Sequence, residues 1–101
     1  MSRVVMVVSP AVSDMEALLR DYAGPIQAIN ARHGVETLAV APQAEMLEGE
    51  AGGVLAILRF PDRAAFDAWS ADPDNAPLRA RRQALFDPAR SFVAIAQEAM
   101  T

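Results

Sequence analysis

The sequence predicts an α+β domain with the element order β-α-β-β-α-β. Three observations carry this prediction: two short, continuously apolar runs, two stretches with helical spacing of apolar residues, and Gly-, Pro- or Asp-containing breaks between them. A chain of 101 residues has room for one core, so residues 1–101 are expected to form a single domain. Hydrophobic residues make up 52% of the chain and charged residues 22%, which excludes an intrinsically disordered protein.

Four segments are predicted as strands. Residues 4–8 and 54–60 begin as continuously apolar runs rich in aliphatic residues, which is typical of strands buried on both faces. Residues 35–41 and 91–97 are the two remaining strand candidates. Between the second and third strands, residues 42–53 are polar and hold three of the five glycines, so they are predicted to form the turn of a hairpin.

The first helix is predicted to begin at Ser13, because Ser13 and Glu16 have the spacing of a capping box. Gly24 and Pro25 predict a kink or a break, and Gly34 is a suitable residue to end the helix. Apolar residues at helical spacing mark its buried face: Met15, Leu18, Leu19, Tyr22, Ile26 and Ile29.

Asp62 is placed to cap the next helix, which carries Phe66 and Trp69. A last helix has Pro77 near its start and ends before Pro88. The resulting order matches the split βαβ motif of the ferredoxin-like fold, a four-stranded antiparallel sheet with helices on one face. Right-handed crossovers place the first and third strands, which are the apolar ones, in the centre of that sheet.

The same pattern predicts a homodimer. The helices cover only one face of the sheet, yet Val5, Val7, Leu55 and Ile57 point to the opposite face and are also apolar. An apolar sheet face of this size is an association surface, and the simplest cover is the same face of a second copy. We therefore expect a homodimer through the sheet face, with two sheets facing each other as in a dimeric α/β barrel.

The composition limits the classes of partner and cofactor that this protein is expected to bind. The net charge of −4 and the lack of a basic run argue against nucleic acid. Because the chain has no cysteine and one histidine, we expect neither a thiolate nor a histidine-cluster metal site, and no cofactor. No segment has the apolar length to span a membrane, so the cytoplasm of a bacterium is the expected location.

The ordered residues also resemble a known family. Leu47-Glu48-Gly49-Glu50, the strand that ends in Phe60-Pro61-Asp62, and the later Asp72-Pro73-Asp74 and Pro77 to Arg82 together resemble domain-of-unknown-function family 1330. The resemblance extends from residue 4 to residue 97. It implies membership of the dimeric α/β-barrel superfamily, whose other members include cofactor-free monooxygenases, muconolactone isomerase and haem-degrading enzymes. It implies the fold and the dimer but no activity.

Two candidates for catalysis stand out. His33 is the chain's one histidine and is either a general base at a pocket mouth or a helix-end residue that interacts with the last carbonyls. Glu48 lies two residues from Glu50 and is either half of a carboxylate pair or part of a solvated acidic turn.

Three further residues are candidates for ligand binding. Arg59 shares a strand face with Leu55 and Ile57, so it either anchors an acidic ligand or pairs with Glu36 or with an acid of the partner chain. Trp69 and Tyr22 lie on apolar helix stripes and either contact a ligand or pack in the core. The arginines at 79, 81 and 82 are interpreted as a solvated helix face.

These observations leave two main functional hypotheses open. The first is a homodimer that binds a small apolar or acidic ligand in the cleft between sheet and helices. The alternative is a cofactor-independent enzyme, of the monooxygenase or isomerase type, which requires His33, Glu48 or Tyr22 to converge on one cavity. Haem handling is a third idea, for which His33 is the one available axial ligand.

Overall fold

The computed structural model describes residues 2–50 and 53–99. Its four strands form one antiparallel sheet in the order β2-β3-β1-β4, with helical segments in the two crossovers. The α+β, ferredoxin-like architecture predicted from the sequence is therefore confirmed. In chain order the elements are β1 (Val4–Ser9), α1 (Met15–Leu18), a π-helical turn (Leu19–Ala23), α2 (Ile26–Arg32), β2 (Glu36–Ala41), β3 (Leu55–Phe60), α3 (Arg63–Ala71), α4 (Asn75–Leu85) and β4 (Phe92–Gln97).

Strand β1 lies in the centre of the sheet and sets its register. Met6 pairs with Leu58 on β3 and with Ile95 on β4, so these three side chains share one face. That face carries the core, because helices pack on it. Its buried apolar residues are Val4, Met6, Val8, Ile26, Ile29, Phe60, Trp69 and Leu78.

The two long crossovers each begin with an aspartate cap. The Asp14 carboxylate accepts a hydrogen bond from the Ala17 N–H at 2.9 Å, so the prediction that Ser13 caps the first helix is wrong by one residue. Since α1 begins at Met15, Asp14 is the residue whose side chain reaches the free N–H groups of the first turn. The predicted cap at Asp62 is confirmed, with the Ala65 N–H donating to it at 2.7 Å.

The predicted break at Gly24 and Pro25 is also confirmed. Before it, the Gly24 N–H donates to the Leu19 carbonyl at 2.9 Å, which widens the helix into a π-helical turn. Pro25 has no N–H to continue the first helix, and α2 begins directly after it. Gly34 ends α2 with φ of +70°, a conformation that glycine adopts without strain.

No helix of the described residues packs on the other face of the sheet. Val7 and Ile57 are paired at its centre and are half-buried, while Phe92 on β4 is 50% exposed. The predicted hairpin turn follows β2, and one of its glycines, Gly52, lies outside the described residues. In the part of the chain that the structure describes, no helix has the length and apolar character needed to cross a membrane.

Candidate functional site

A largely apolar cavity of about 230 Å³ lies between the helical layer and strands β2 and β3. We call it the helix–sheet pocket. Val8, Ala56 and Leu58 form its floor on the helix-covered face of the sheet. Leu19 and Val40 line it and are 57% and 63% exposed, so they form an apolar rim. The pocket is thus an opening into the core side of the sheet rather than a depression on the open face.

The break in the first crossover shapes this pocket. Because Pro25 cannot continue the helix, the chain passes through the π-helical turn and restarts as α2. Tyr22 and Ala23, the last residues of that turn, both line the pocket. A π-helical turn beside a cavity is a frequent feature of functional sites.

Arg82 on α4 brings a cation to the pocket. The residue is 8% exposed and lines the cavity together with Phe86. Its guanidinium carbon lies 5.5 Å from the centroid of the Tyr22 ring and 5.6 Å from that of Phe86. Arg82 Nη1 donates a long hydrogen bond, 3.4 Å, to the Tyr22 hydroxyl, and Nε has no hydrogen-bond partner among the described residues. No carboxylate pairs with Arg82 in the described part of the chain.

The buried position of Arg82 shows that the interpretation of the arginines at 79, 81 and 82 as a solvated helix face is wrong for this residue. Arg81 is exposed, as that interpretation requires. Arg82 is buried, because it follows the buried Leu78 by four residues and shares its side of the helix. Spacing from Leu78 is the sequence signal that identifies Arg82, and sequence reasoning missed it.

The two aromatic candidates occupy different places. Tyr22 lines the helix–sheet pocket and contacts Arg82. Trp69 is 3% exposed and packs edge-to-face on Phe60 at 5.2 Å in the core. Its indole N–H donates to the Asn30 side-chain oxygen at 2.8 Å, and Asn30 in turn lines the pocket. Trp69 therefore positions a residue of the pocket rather than lining it.

Arg59 lies on the open face of the sheet and is held by two acids. Arg59 Nη2 donates to Glu36 at 2.8 Å and Nη1 to Glu98 at 3.3 Å, so the ion pair with Glu36 weighed from the sequence is present. These two carboxylates raise the pKa of Arg59 above its usual value. Arg3 also pairs with Glu98, at 3.7 Å, so charged residues form a belt across one end of the open face.

His33 belongs to a polar cluster where α2 and α3 end. Its Nε2 lies 2.8 Å from the Asp72 carboxylate, which also accepts a hydrogen bond from Arg32 at 2.8 Å. The hydrogen bonds from His33 and from the Asp74 backbone N–H, together with the charge of Arg32, hold the pKa of the Asp72 carboxyl below its usual 3.8. Asp72, whose side chain is 6% exposed, was not expected from the sequence as the partner of this histidine.

The candidate catalytic residues do not meet in the structure. Of His33, Glu48 and Tyr22, only Tyr22 lines the helix–sheet pocket. Glu48 lies exposed in the segment between β2 and β3. Within residues 2–50 and 53–99, no group of three histidine, cysteine, aspartate or glutamate side chains is placed to hold a metal ion.

Comparison with known proteins agrees with this geometry at the level of the fold. A protein of unknown function from Rhodopseudomonas palustris superposes with a TM-score of 0.75 at 19% identity, covering 99% of this chain and 85% of that one. A dimeric ferredoxin-like protein of unknown function from Jannaschia sp. CCS1 superposes with a TM-score of 0.78 at 14% identity, covering 95% of this chain and 99% of that one. A Mycobacterium tuberculosis protein superposes with a TM-score of 0.60 at 18% identity, covering 100% of this chain and 98% of that one.

Sequence comparison gives the family. None of the curated proteins matches the chain. A family model, described as a domain of unknown function (DUF1330), matches residues 4–96, a range that includes every helix and strand of the described residues except Gln97, the last residue of β4. The chain therefore belongs to this family, as its motifs indicated.

Proposed function

We propose that this protein is a homodimeric small-molecule-binding protein that holds one ligand per protomer in the helix–sheet pocket. The observation that carries the proposal is the pocket itself, an apolar cavity with an open rim and few polar groups. Ligand sites in proteins have this composition, in which apolar walls supply burial and a few polar groups fix orientation.

The volume of the pocket sets the size of the ligand. An apolar cavity of about 150 Å³ holds benzene. The helix–sheet pocket, at about 230 Å³, has room for one ring or a short aliphatic chain with one polar substituent. The exposed rim residues Leu19 and Val40 give such a molecule a route from solvent.

The open face of the sheet supports the dimer. The chain has an accessible surface of 6281 Å², whereas a monomer of its mass is expected to expose about 5,500 Å². The excess of about 780 Å² is close to the ~800 Å² that each partner buries in a typical specific interface. An apolar centre around Val7 and Ile57 beside the charged belt at Arg59 also follows the usual interface pattern of apolar core and polar rim.

The Jannaschia protein, which shares the fold, is described as dimeric. A dimer formed through the open face leaves the helix–sheet pocket free, because the pocket opens on the other side of the sheet. The two parts of the proposal are therefore compatible.

Binding is favoured over the enzyme alternative by the placement of the candidate residues. A general base has to lie within hydrogen-bond reach of the proton that it removes. His33 is engaged by Asp72 away from the pocket and Glu48 is exposed in a loop, which leaves Tyr22 as the only one of the three candidates at the pocket.

The test is a nuclear magnetic resonance titration of the ¹⁵N-labelled protein with benzamide, a neutral one-ring probe. We expect amide shifts concentrated at pocket residues such as Leu18, Tyr22 and Ala56. The variant Ala23→Phe places a ring in the pocket and is expected to abolish these shifts. The matched control Ala28→Phe adds the same ring at an exposed position of α2 and is expected to retain them.

Three results contradict the proposal. Shifts scattered over the surface, or persisting unchanged in Ala23→Phe, show that the pocket is not the binding site. An absence of shifts with both benzamide and benzoate at millimolar concentration shows that the pocket does not accept molecules of this size.

A further inference from the structure

Arg82 gives the pocket a chemical preference that its apolar walls do not. We infer that the ligand is a small carboxylic acid whose carboxylate binds the Arg82 guanidinium while its apolar body fills the helix–sheet pocket. This inference rests on the proposed function and specifies the ligand class of the same site.

Arg82 lacks a counter-charge among the described residues. A buried arginine is normally paired with a carboxylate, because an unpaired charge is costly to remove from water. Arg59, the partly buried arginine of the sheet, follows this rule, since it is bound by Glu36 and Glu98. Arg82 is 8% exposed and has no carboxylate partner among the described residues. It is also the arginine that lines the pocket.

The groups around the Arg82 guanidinium are arranged to receive a carboxylate. The rings of Tyr22 and Phe86, both within 5.6 Å of the guanidinium carbon, hold it by cation–π contacts and limit its movement. The Tyr22 hydroxyl accepts a hydrogen bond from Arg82, so its own proton remains available to a ligand oxygen. A carboxylate next to Arg82 thus receives a charge-assisted hydrogen bond from the guanidinium and a second one from the phenol.

The helix–sheet pocket also matches a small carboxylic acid in size and polarity. Apart from Arg82 and the Tyr22 hydroxyl, the polar groups that line the pocket belong to uncharged side chains, namely Gln27, Asn30 and Thr37. One cation in an otherwise uncharged and mainly apolar cavity matches a monoanion with an apolar body better than a phosphate ester or a dicarboxylate. The volume of about 230 Å³ restricts that body to roughly one ring.

The experiment compares matched acids and amides by the same titration at pH 7. Benzoate and hexanoate are titrated against benzamide and hexanamide, with wild-type protein and the variants Arg82→Gln and Tyr22→Phe. We expect each acid to bind the wild type at least tenfold more tightly than its amide. Arg82→Gln is expected to bind acid and amide equally, and Tyr22→Phe to retain part of the preference. The comparison within the wild type remains decisive if Arg82→Gln fails to fold.

The outcomes separate this inference from the proposed function. If acid and amide bind the pocket of the wild type with equal affinity, the pocket is a ligand site but Arg82 does not select carboxylates. If the acids bind tightly and Arg82→Gln keeps their full preference, another group supplies the charge and the inference is wrong. If neither class of probe shifts the pocket residues, the proposed function fails with it.

Discussion

Replacing Arg82 with methionine is expected to stabilise the ligand-free protein. The substitution removes a buried cation that has no carboxylate partner among the described residues and puts an unbranched apolar side chain in its place. A residue kept for ligand binding at the expense of stability behaves in this way, whereas a structural clamp does not.

The magnitude follows from the contacts of the guanidinium. Two cation–π contacts, with Tyr22 and Phe86, contribute about 0.5–1 kcal/mol each. The long hydrogen bond to the Tyr22 hydroxyl contributes at most about 1 kcal/mol. Burial of an unpaired cation costs several kcal/mol, even after local relaxation. The net effect of Arg82→Met is therefore a gain of about 1 kcal/mol in the free energy of unfolding.

Chemical denaturation at a fixed protein concentration measures this change, since the stability of a dimer depends on concentration. Arg81→Met is the matched control; Arg81 is exposed, so its replacement should change the unfolding free energy by less than about 0.5 kcal/mol. Added benzoate is expected to stabilise the wild type more than it stabilises Arg82→Met. A loss of more than about 1 kcal/mol in Arg82→Met without ligand shows instead that Arg82 is a structural residue.

Three further predictions concern the open sheet face, the first helix and the polar cluster around Asp72. Ile57→Glu is expected to give a monomer by size-exclusion chromatography, because it places a carboxylate in the apolar centre of the proposed interface. A stable dimer of this variant contradicts the proposal that the open sheet faces of two chains pack together. Asp14→Ala is expected to lower the unfolding free energy by about 1 kcal/mol and Ser13→Ala to leave it nearly unchanged; the reverse order contradicts the cap assignment. Because the folded-state pKa of Asp72 lies below 3.8, its ionised form stabilises the protein above that pH, and this contribution is lost as pH falls through the lower folded-state value. Denaturation between pH 2 and 6 should therefore show a weaker acid dependence for Asp72→Asn than for the exposed control Asp67→Asn, and equal curves contradict the assignment.

The fold was predictable because its signals are local and repeated. Apolar runs in β1 and β3, the break at Pro25 and the cap at Asp62 each specify one element, and together they leave one common topology. The cap at Ser13 was misplaced because Asp14, the next residue, is an equally good cap, and the spacing to Glu16 favoured the wrong one of the two.

The site was less predictable because its contacts join residues far apart in the chain. Arg82 reaches Tyr22 across 60 positions, and His33 reaches Asp72 across 39. Charge alone classed Arg82 as a surface residue, although its spacing of four from Leu78 placed it on the buried side of α4. Only the packing of α4 against the π-helical turn brings that cation to a cavity.

The proposed function depends most directly on the association of two chains through the open sheet face. Native mass spectrometry of the purified protein at low micromolar concentration measures this association, with Ala80→Glu, an exposed change on α4, as a control that should not affect it. A homodimer gives a species of twice the chain mass for both proteins. A wild type that is found only at the mass of one chain contradicts it.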